Sequence, residues 1–124
     1  MATIIGAVQD DFLAGGLEDD LILGLGGADT LSGDAGDDTL DAGTGADSLV
    51  GGAGADRGVV DRSAATADLL AFVLGPGFTT TIDGALLAGI EHVTLSTGAG
   101  ADRLVGGAGE DSFSAGGGAD ALAG

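Results

Sequence analysis

The sequence contains no cysteine, tryptophan or tyrosine, and only four phenylalanines and one proline. The absence of cysteine excludes a disulfide framework and a thiolate metal site. Large aromatic side chains normally supply much of the buried area of a core, so their scarcity argues against a thick hydrophobic core. Glycine is abundant instead, with 27 residues among 124, far above ordinary globular usage. Another source of stability is therefore expected.

Positive charge is also scarce. The chain has no lysine and three arginines against 20 acidic residues, which gives a formal net charge of −17. Binding to nucleic acid or to an anionic membrane surface needs a basic patch, so the charge argues against both classes of partner, and we expect neither nucleic-acid binding nor membrane insertion. Dense carboxylates repel one another without counter-ions, and hard divalent cations prefer oxygen ligands. Ca²⁺ is therefore the expected cofactor and partner.

The sequence shows neither a targeting segment nor a membrane-spanning one. Residues Met1–Gly6 lack the basic and apolar regions of a secretory signal peptide. No stretch is apolar for long enough to insert into a membrane. If the protein is exported, we expect a route without a cleaved N-terminal signal peptide.

A nine-residue repeat is the main feature of the sequence. An aspartate recurs at that spacing, and in eight of the nine repeats a large apolar residue follows two positions later. Only the sixth repeat, with Gly58, lacks this apolar residue. The repeated aspartates, which we predict to be metal ligands, are Asp11, Asp20, Asp29, Asp38, Asp47, Asp56, Asp102, Asp111 and Asp120.

One repeat, Gly106–Ser114, matches the consensus G-G-x-G-x-D-x-U-x at every position, where U is large and apolar. With nine copies in phase over residues 6–59 and 97–123, the chain resembles the RTX, or haemolysin-type, calcium-binding repeat family. The resemblance implies an all-β fold, a right-handed parallel β-roll or β-solenoid with Ca²⁺ between stacked glycine-rich turns. It also implies that successive repeats lie on opposite sides, so that two repeats form one coil.

This arrangement would stack each aspartate above the one two repeats earlier. Asp11, Asp29 and Asp47 would line one edge, and Asp20, Asp38 and Asp56 the other. Between the edges, the three residues after each aspartate are predicted to form a short strand with its central side chain inward. The result would be a thin core in which each coil contacts only its neighbours.

The residue types of the repeat suit calcium. Ca²⁺ takes about 6–8 oxygen ligands, more than one turn supplies, so each ion is expected to bridge two stacked turns and metal binding is expected to drive folding. Glycine allows the turn to direct its carbonyl oxygens toward an ion. The predicted carbonyl ligands come from the glycine two residues before the aspartate: Gly27, Gly36, Gly45, Gly54, Gly100, Gly109 and Gly118.

The first two repeats are weaker candidate sites than the others. Val8 and Gln9 stand where the first repeat should carry glycine, and Glu18 takes the fourth position of the second repeat.

Residues 60–96 interrupt the repeats, which divides the chain into a first block of six repeats (1–59), an insert (60–96) and a second block of three (97–124). Within the insert, Gly75-Pro76-Gly77 predicts the turn of a hairpin between residues 66–74 and 78–84. Residues 85–89 are predicted to be a short turn, and residues 90–95 a strand. We expect the solenoid to continue through the insert with longer strands and without calcium turns.

Other site types fit the sequence less well. No acidic stretch continues to the closing glutamate of an EF-hand, and a P-loop needs a lysine. The only histidine, His92, has no catalytic partner visible in the sequence, so we expect it at the rim of the core and assign it no role. Arg57, Arg62 and Arg103 are expected to offset nearby carboxylates. The protein is not expected to be an enzyme.

Two functions remain open. In the first, the chain is a calcium-binding extracellular or cell-surface structural protein that folds on Ca²⁺ and assembles head to tail into a filament, matrix or surface layer. In the alternative, it is a calcium-triggered folding and secretion module from a larger RTX toxin, hydrolase or adhesin. An ice-binding solenoid would need a long outward ladder of threonines, and Thr30 and Thr39 do not extend into one.

Overall fold

The computed structural model describes residues 1–63, 70–72, 79–82, 85–105 and 110–123. These residues form fourteen strands and no helix. In chain order the strands are β1 (Thr3–Ile5), β2 (Phe12–Gly16), β3 (Leu21–Leu23), β4 (Thr30–Ala35), β5 (Thr39–Asp41), β6 (Ser48–Ala53), β7 (Arg57–Arg62), β8 (Leu70–Phe72), β9 (Thr79–Ile82), β10 (Ala85–Ala88), β11 (His92–Thr97), β12 (Arg103–Val105), β13 (Ser112–Ser114) and β14 (Ala121–Ala123).

Strands two repeats apart in the first block pair in parallel, which builds a solenoid. One sheet runs β1-β3-β5-β7-β11-β13, and the opposite sheet begins β2-β4-β6. Paired residues are one full coil apart in the sequence, since Ile22 pairs with Leu40 and Leu31 with Leu49. This arrangement confirms the predicted all-β parallel solenoid with successive repeats on opposite sides.

The core is a single layer of apolar side chains between the two sheets. Ile22, Leu31, Leu40 and Leu49, each two residues after a repeat aspartate, are fully buried. Their strand neighbours are only partly buried or exposed, as the alternation of a β-strand requires. The predicted inward positions are therefore confirmed for these repeats.

The sixth repeat shows how the core compensates for its missing apolar side chain. A Cβ placed on Gly58 would lie 3.0 Å from Leu87 Cδ2 and 3.3 Å from Ile90 Cγ2. Leu87 and Ile90 belong to the insert, and both are buried. The space above Gly58 is therefore filled by side chains from the far end of the insert.

The insert continues both sheets but adds an antiparallel strand. β10 pairs with β6 and β11 with β7, both in parallel, while β9 pairs with β10 antiparallel. The prediction of a turn at residues 85–89 is wrong over Ala85–Ala88, which form β10 because they take the place of the next coil on β6. The described partner of β8 is β12. The predicted turn Gly75-Pro76-Gly77 lies outside the described residues.

The predicted block boundaries fall within strands, because β7 spans residues 59 and 60 and β11 spans residues 96 and 97. In the described part of the chain, no helix is long and apolar enough to cross a membrane.

Candidate metal centre

The repeat aspartates of the first block form two hydrogen-bonded ladders, one along each edge of the solenoid. In each step the backbone N–H of one aspartate donates to Oδ1 of the aspartate in the next coil. The distances are 2.9 Å from Asp11 to Asp29, 2.7 Å from Asp20 to Asp38, 2.9 Å from Asp29 to Asp47, and 2.9 Å from Asp38 to Asp56. Each bond holds a carboxylate in a fixed orientation just before a strand begins.

Within residues 1–59, the second carboxylate oxygen is buried without a hydrogen-bond partner at four positions. These atoms are the Oδ2 atoms of Asp29, Asp38, Asp47 and Asp56. An unsatisfied buried acceptor costs about 1–3 kcal/mol, and more when it is charged. Such a set of oxygens fits a cation, which would satisfy them.

A glycine five residues before the aspartate makes room beside Oδ2. A Cβ on Gly24 would lie 2.6 Å from Asp29 Oδ2 and 2.7 Å from the carbonyl oxygen of Ala42 in the next coil. At Gly33 a Cβ would collide with Asp38 Oδ2 and would lie 2.6 Å from Gly51 O. We call the space beside this glycine the cradle. In the cradle, a carboxylate oxygen and a carbonyl oxygen from adjacent coils face the same point. The oxygens fit Ca²⁺, which binds such mixed ligands at about 2.3–2.6 Å.

The repeat pattern did not predict the carbonyl oxygens of the cradle. It placed the predicted carbonyl ligands at a different glycine of the turn, two residues before the aspartate. The glycine two residues before the aspartate adopts a positive φ at Gly27, Gly36, Gly45, Gly54 and Gly118. At Gly45, for example, φ is 132° and a side chain would collide with Gly27 O. Gly100 O faces Gly118 in the same way, whereas Gly109 lies outside the described residues. Their role as ligands stays a prediction.

The remaining predicted aspartates occupy the outer coils and the second block. Asp20 is buried, and its Oδ1 accepts the Ala2 N–H at 2.7 Å. Asp102 is buried and donates its N–H to Asp120 Oδ1 at 3.0 Å. Asp111 Oδ1 accepts the Val93 N–H at 3.0 Å. The ladder geometry is thus present on both sides of the insert.

The aspartate of the first repeat accepts a hydrogen bond within its own turn, unlike the interior aspartates. Asp11 Oδ2 accepts the N–H of Ala7 at 2.6 Å. This oxygen already has a partner, in contrast to those of the four interior aspartates. The result agrees with the departure of this repeat from the glycine pattern.

Burial changes the acidity of the interior carboxyls. Loss of solvent raises the pKa of Asp56 to about 6, against the opposing effect of the Asp38 N–H and with a further rise from the Asp38 charge. Burial likewise raises the pKa of Asp38 and of Asp47. The carboxylates are therefore unfavourable in their charged form unless a cation joins them.

A second ladder of polar side chains lies one residue before the repeat aspartates. It was not predicted from the sequence. Asp10 Oδ1 accepts the Ala28 N–H, Asp19 Oδ1 the Asp37 N–H and Asp37 Oδ1 the Ala55 N–H, each at 2.9 Å. The paired acids Asp10-Asp11, Asp19-Asp20 and Asp37-Asp38 were the signal available in the sequence.

His92 takes the same position in this second ladder. Its Nδ1 accepts the N–H of Glu110, in the next coil, at 2.9 Å. The side chain is partly buried on β11, as expected for the rim of the core. The single histidine therefore acts as a hydrogen-bond acceptor between coils.

Glu91 completes a ladder where the insert interrupts it. Two repeats after Asp56, the sequence has Leu74 where the pattern would place an aspartate. Glu91 Oε2 accepts the Asp56 N–H at 2.8 Å instead, and Asp56 O accepts the N–H groups of Glu91 and His92. The repeat does not indicate this residue, because Glu91 lies out of phase with it.

The expectation that the arginines act by offsetting carboxylates is incomplete. Arg57 Nη1 donates to Thr94 Oγ1 at 2.9 Å, and Arg62 donates to the carbonyl oxygens of Gly43 and Gly45.

A metal site here would depend on backbone oxygens. Within the described ranges, no three or more His, Cys, Asp or Glu side chains gather as a metal-binding group. Each turn with a cradle glycine offers one carboxylate to that cradle, so the other ligands would be carbonyl oxygens. Such a ligand set is hard and suits Ca²⁺.

The comparison with protein families agrees with this geometry. The model of the RTX calcium-binding nonapeptide repeat, which comprises four copies, matches residues 5–40, 23–57 and 94–124. Together these ranges exceed half of the chain. No curated protein matches the chain.

Proposed function

The chain belongs to the family of RTX calcium-binding nonapeptide repeats, and we propose that it is a structural module that folds on Ca²⁺ outside the cell. The observation that carries this proposal is the row of buried, unpartnered Oδ2 atoms at Asp29, Asp38, Asp47 and Asp56. A fold that buries unpartnered carboxylates is unstable until a cation reaches them. The family repeat is itself a calcium-binding structural module.

We propose that calcium is held between consecutive coils of each ladder. A carboxylate oxygen and a carbonyl oxygen in the cradle would contribute ligands, and the predicted aspartates and glycines of both blocks would complete the sets. The two blocks, 1–59 and 97–124, are proposed as separate groups of sites joined by residues 60–96.

An extracellular location follows from the proposed affinity. Extracellular calcium modules typically bind with dissociation constants of about 10⁻⁴ to 10⁻³ M. A net charge of −17 and a one-layer core leave little to stabilise the fold where calcium is scarce. RTX repeat proteins are typically secreted, which supports the same conclusion.

The test is a calcium titration followed by circular dichroism, with Mg²⁺ at the same ionic strength as the control for charge screening. We expect a largely disordered chain in chelator and a β spectrum at millimolar Ca²⁺, with little effect of Mg²⁺. A β spectrum of equal amplitude in excess chelator would refute the proposal.

Exposed apolar side chains on the first coil support self-association. Val8, Phe12 and Leu17 are 83%, 76% and 87% exposed, although each is large and apolar. A second copy stacked head to tail would cover them and extend the sheets. We propose that assembly of this kind, into a filament, matrix or surface layer, depends on calcium. Sedimentation that shows only monomer at millimolar Ca²⁺ and at every protein concentration would exclude it.

The alternative is a calcium-triggered folding and secretion module of a larger RTX toxin, hydrolase or adhesin. The same exposed coil would then lie against a neighbouring part of that protein. Calcium-dependent folding without self-association is the result that favours this function.

A further inference from the structure

The turn that leads to Asp47 differs from its neighbours in the space beside its aspartate. The glycine that forms the cradle five residues before the aspartate is Gly24 for Asp29, Gly33 for Asp38 and Gly51 for Asp56. The corresponding residue for Asp47 is Ala42, which is fully buried. A Cβ is therefore already present at the point that the other turns keep open.

A second difference is a buried arginine above the same turn. Arg62 is only 9% exposed. Its Nη2 donates to Gly45 O at 2.7 Å and its Nη1 to Gly43 O at 3.2 Å. Gly43 and Gly45 lie four and two residues before Asp47, so the guanidinium binds the glycine carbonyls of this turn.

The repeat explains why the arginine reaches this place. Arg62 lies two repeats after Thr44, and in the coil below, the Thr44 N–H donates to Leu25 O at 3.0 Å. Arg62 Nη1 makes the corresponding contact one coil higher, to Gly43 O. The chain at this point continues as strand β7 instead of forming another glycine-rich turn. The side chain thus takes the place of the turn that the repeat would have supplied.

We infer that the Arg62 guanidinium is a tethered cation that replaces Ca²⁺ at the Asp47 turn, the point where the first block meets the insert. This inference rests on the proposed function, since it assumes that the other turns bind calcium. A guanidinium offers planar N–H donors and is always charged, so it suits a permanent contact with carbonyl oxygens. Ala42 then fills the cradle, and the charge of Arg62 compensates the Asp47 carboxylate, whose Oδ2 has no hydrogen-bond partner. Asp47 and Gly45, which the repeat pattern predicts as ligands, would then not bind calcium.

The number of Ca²⁺ ions bound per chain tests whether Arg62 replaces an ion. Ala42→Gly with Arg62→Gln reopens the cradle and removes the tethered charge, so the double variant should bind one more Ca²⁺ than the unchanged chain. Equilibrium dialysis against radioactive calcium at saturation measures that number directly. Arg103→Gln is the matched control, because it removes the same charge from an exposed position and should leave the number unchanged.

A second measurement does not depend on the double variant folding. In saturating calcium, Arg62→Gln should accelerate hydrogen exchange at residues 43–45 on the order of tenfold, through loss of charge-assisted bonds. Arg103→Gln should leave exchange there unchanged. Equal ion numbers for a folded double variant, or unchanged exchange in Arg62→Gln, would overturn the inference. An unchanged chain that binds no calcium would instead overturn the proposed function, so the two failures are distinguishable.

Discussion

The backbone N–H of Asp38 donates to Oδ1 of Asp56 at 2.9 Å, while the other oxygen of the Asp56 carboxyl is buried without a partner. The same carboxyl both joins two coils and destabilises them when it is charged and no cation is present. Burial accordingly raises the pKa of Asp56 from its ordinary value of 3.8 to about 6.

This relationship predicts the effect of pH on the calcium-free chain. Because the pKa of Asp56 is higher in the folded state, its protonation stabilises the fold fully below pH 3.8, and that contribution is lost as pH rises through about 6. In chelator, circular dichroism should show more β structure near the lower pH than near neutrality. Asp56→Asn, which is neutral throughout, should weaken this dependence. Greater β content at neutral pH would contradict the assignment.

Removal of a ladder charge should weaken calcium binding far more than removal of an exposed one. Asp38 is 1% exposed with an unpartnered oxygen, whereas Asp34 is exposed and accepts a bond from Ser32. Asp38→Asn should therefore raise the calcium midpoint of folding by roughly tenfold, about the effect of one charge-assisted contact. Asp34→Asn should change it little. Equal titration curves for the two variants would show that the ladder does not bind the ion. Asp68, the control that the sequence alone suggests, lies outside the described residues.

Glu91 should stabilise the junction between the first block and the insert. Glu91→Ala leaves the Asp56 N–H without its acceptor, which costs about 1–3 kcal/mol. Glu91→Gln keeps a side-chain oxygen at that position and should lose less. Urea unfolding in saturating calcium compares the two variants. A Gln variant as unstable as the Ala variant would indicate that charge, not the hydrogen bond, is the important property.

Leu25 is a site where substitution should increase stability. It adopts φ of 75° four residues before Asp29, where Gly43 and Gly52 stand in the corresponding turns, also with positive φ. A left-handed conformation costs a non-glycine residue roughly 1–2 kcal/mol. Leu25→Gly should therefore stabilise the calcium-loaded fold by about 1 kcal/mol in thermal unfolding. Asp34→Gly, at φ of 74°, should gain less because aspartate tolerates this region better.

Position along the solenoid should determine the cost of a truncated core residue. Leu40 is fully buried and Leu122 is 50% exposed, although both occupy the same place in the repeat. Leu40→Ala should destabilise the calcium-loaded fold by about 2–5 kcal/mol, and Leu122→Ala by much less. Comparable losses in urea unfolding would mean that the last repeat is packed as tightly as the central ones.

The sequence is sufficient to predict the features that repeat. Leu31 and Leu40 are recognisable as core residues because strand alternation and the nine-residue spacing place them inward in every coil. The stacking of Asp38 under Asp56 follows from the two-repeat coil. These features depend on residues close in sequence or on one fixed period.

Features that depend on the path of the insert could not be predicted. Glu91 acts on Asp56, 35 positions away, which is not a multiple of the repeat. Arg62 lies at a repeat position, but the sequence gives no sign that its side chain bonds the carbonyl oxygens of the coil before it. Ala85–Ala88 contain only alanine and leucine and no β-branched or aromatic residue that would indicate a strand, but they form β10 because β6 offers an unpaired edge. Likewise, Gly58 gives no sign that Leu87 and Ile90 will cover it.

The ladder of repeat aspartates donates toward the next coil, whereas the second ladder donates back toward the previous one. In the ladder of repeat aspartates, each donor amide, such as that of Asp20, meets an acceptor that comes one coil later, in this case Asp38. In a chain that leaves a narrow passage, each of these bonds must wait until residues 18 positions further along have emerged. One coil of fully extended chain spans roughly 60 Å, so each coil closes only after that further length has emerged. Closure of each coil therefore lags its release by one full coil, whichever end of the chain emerges first.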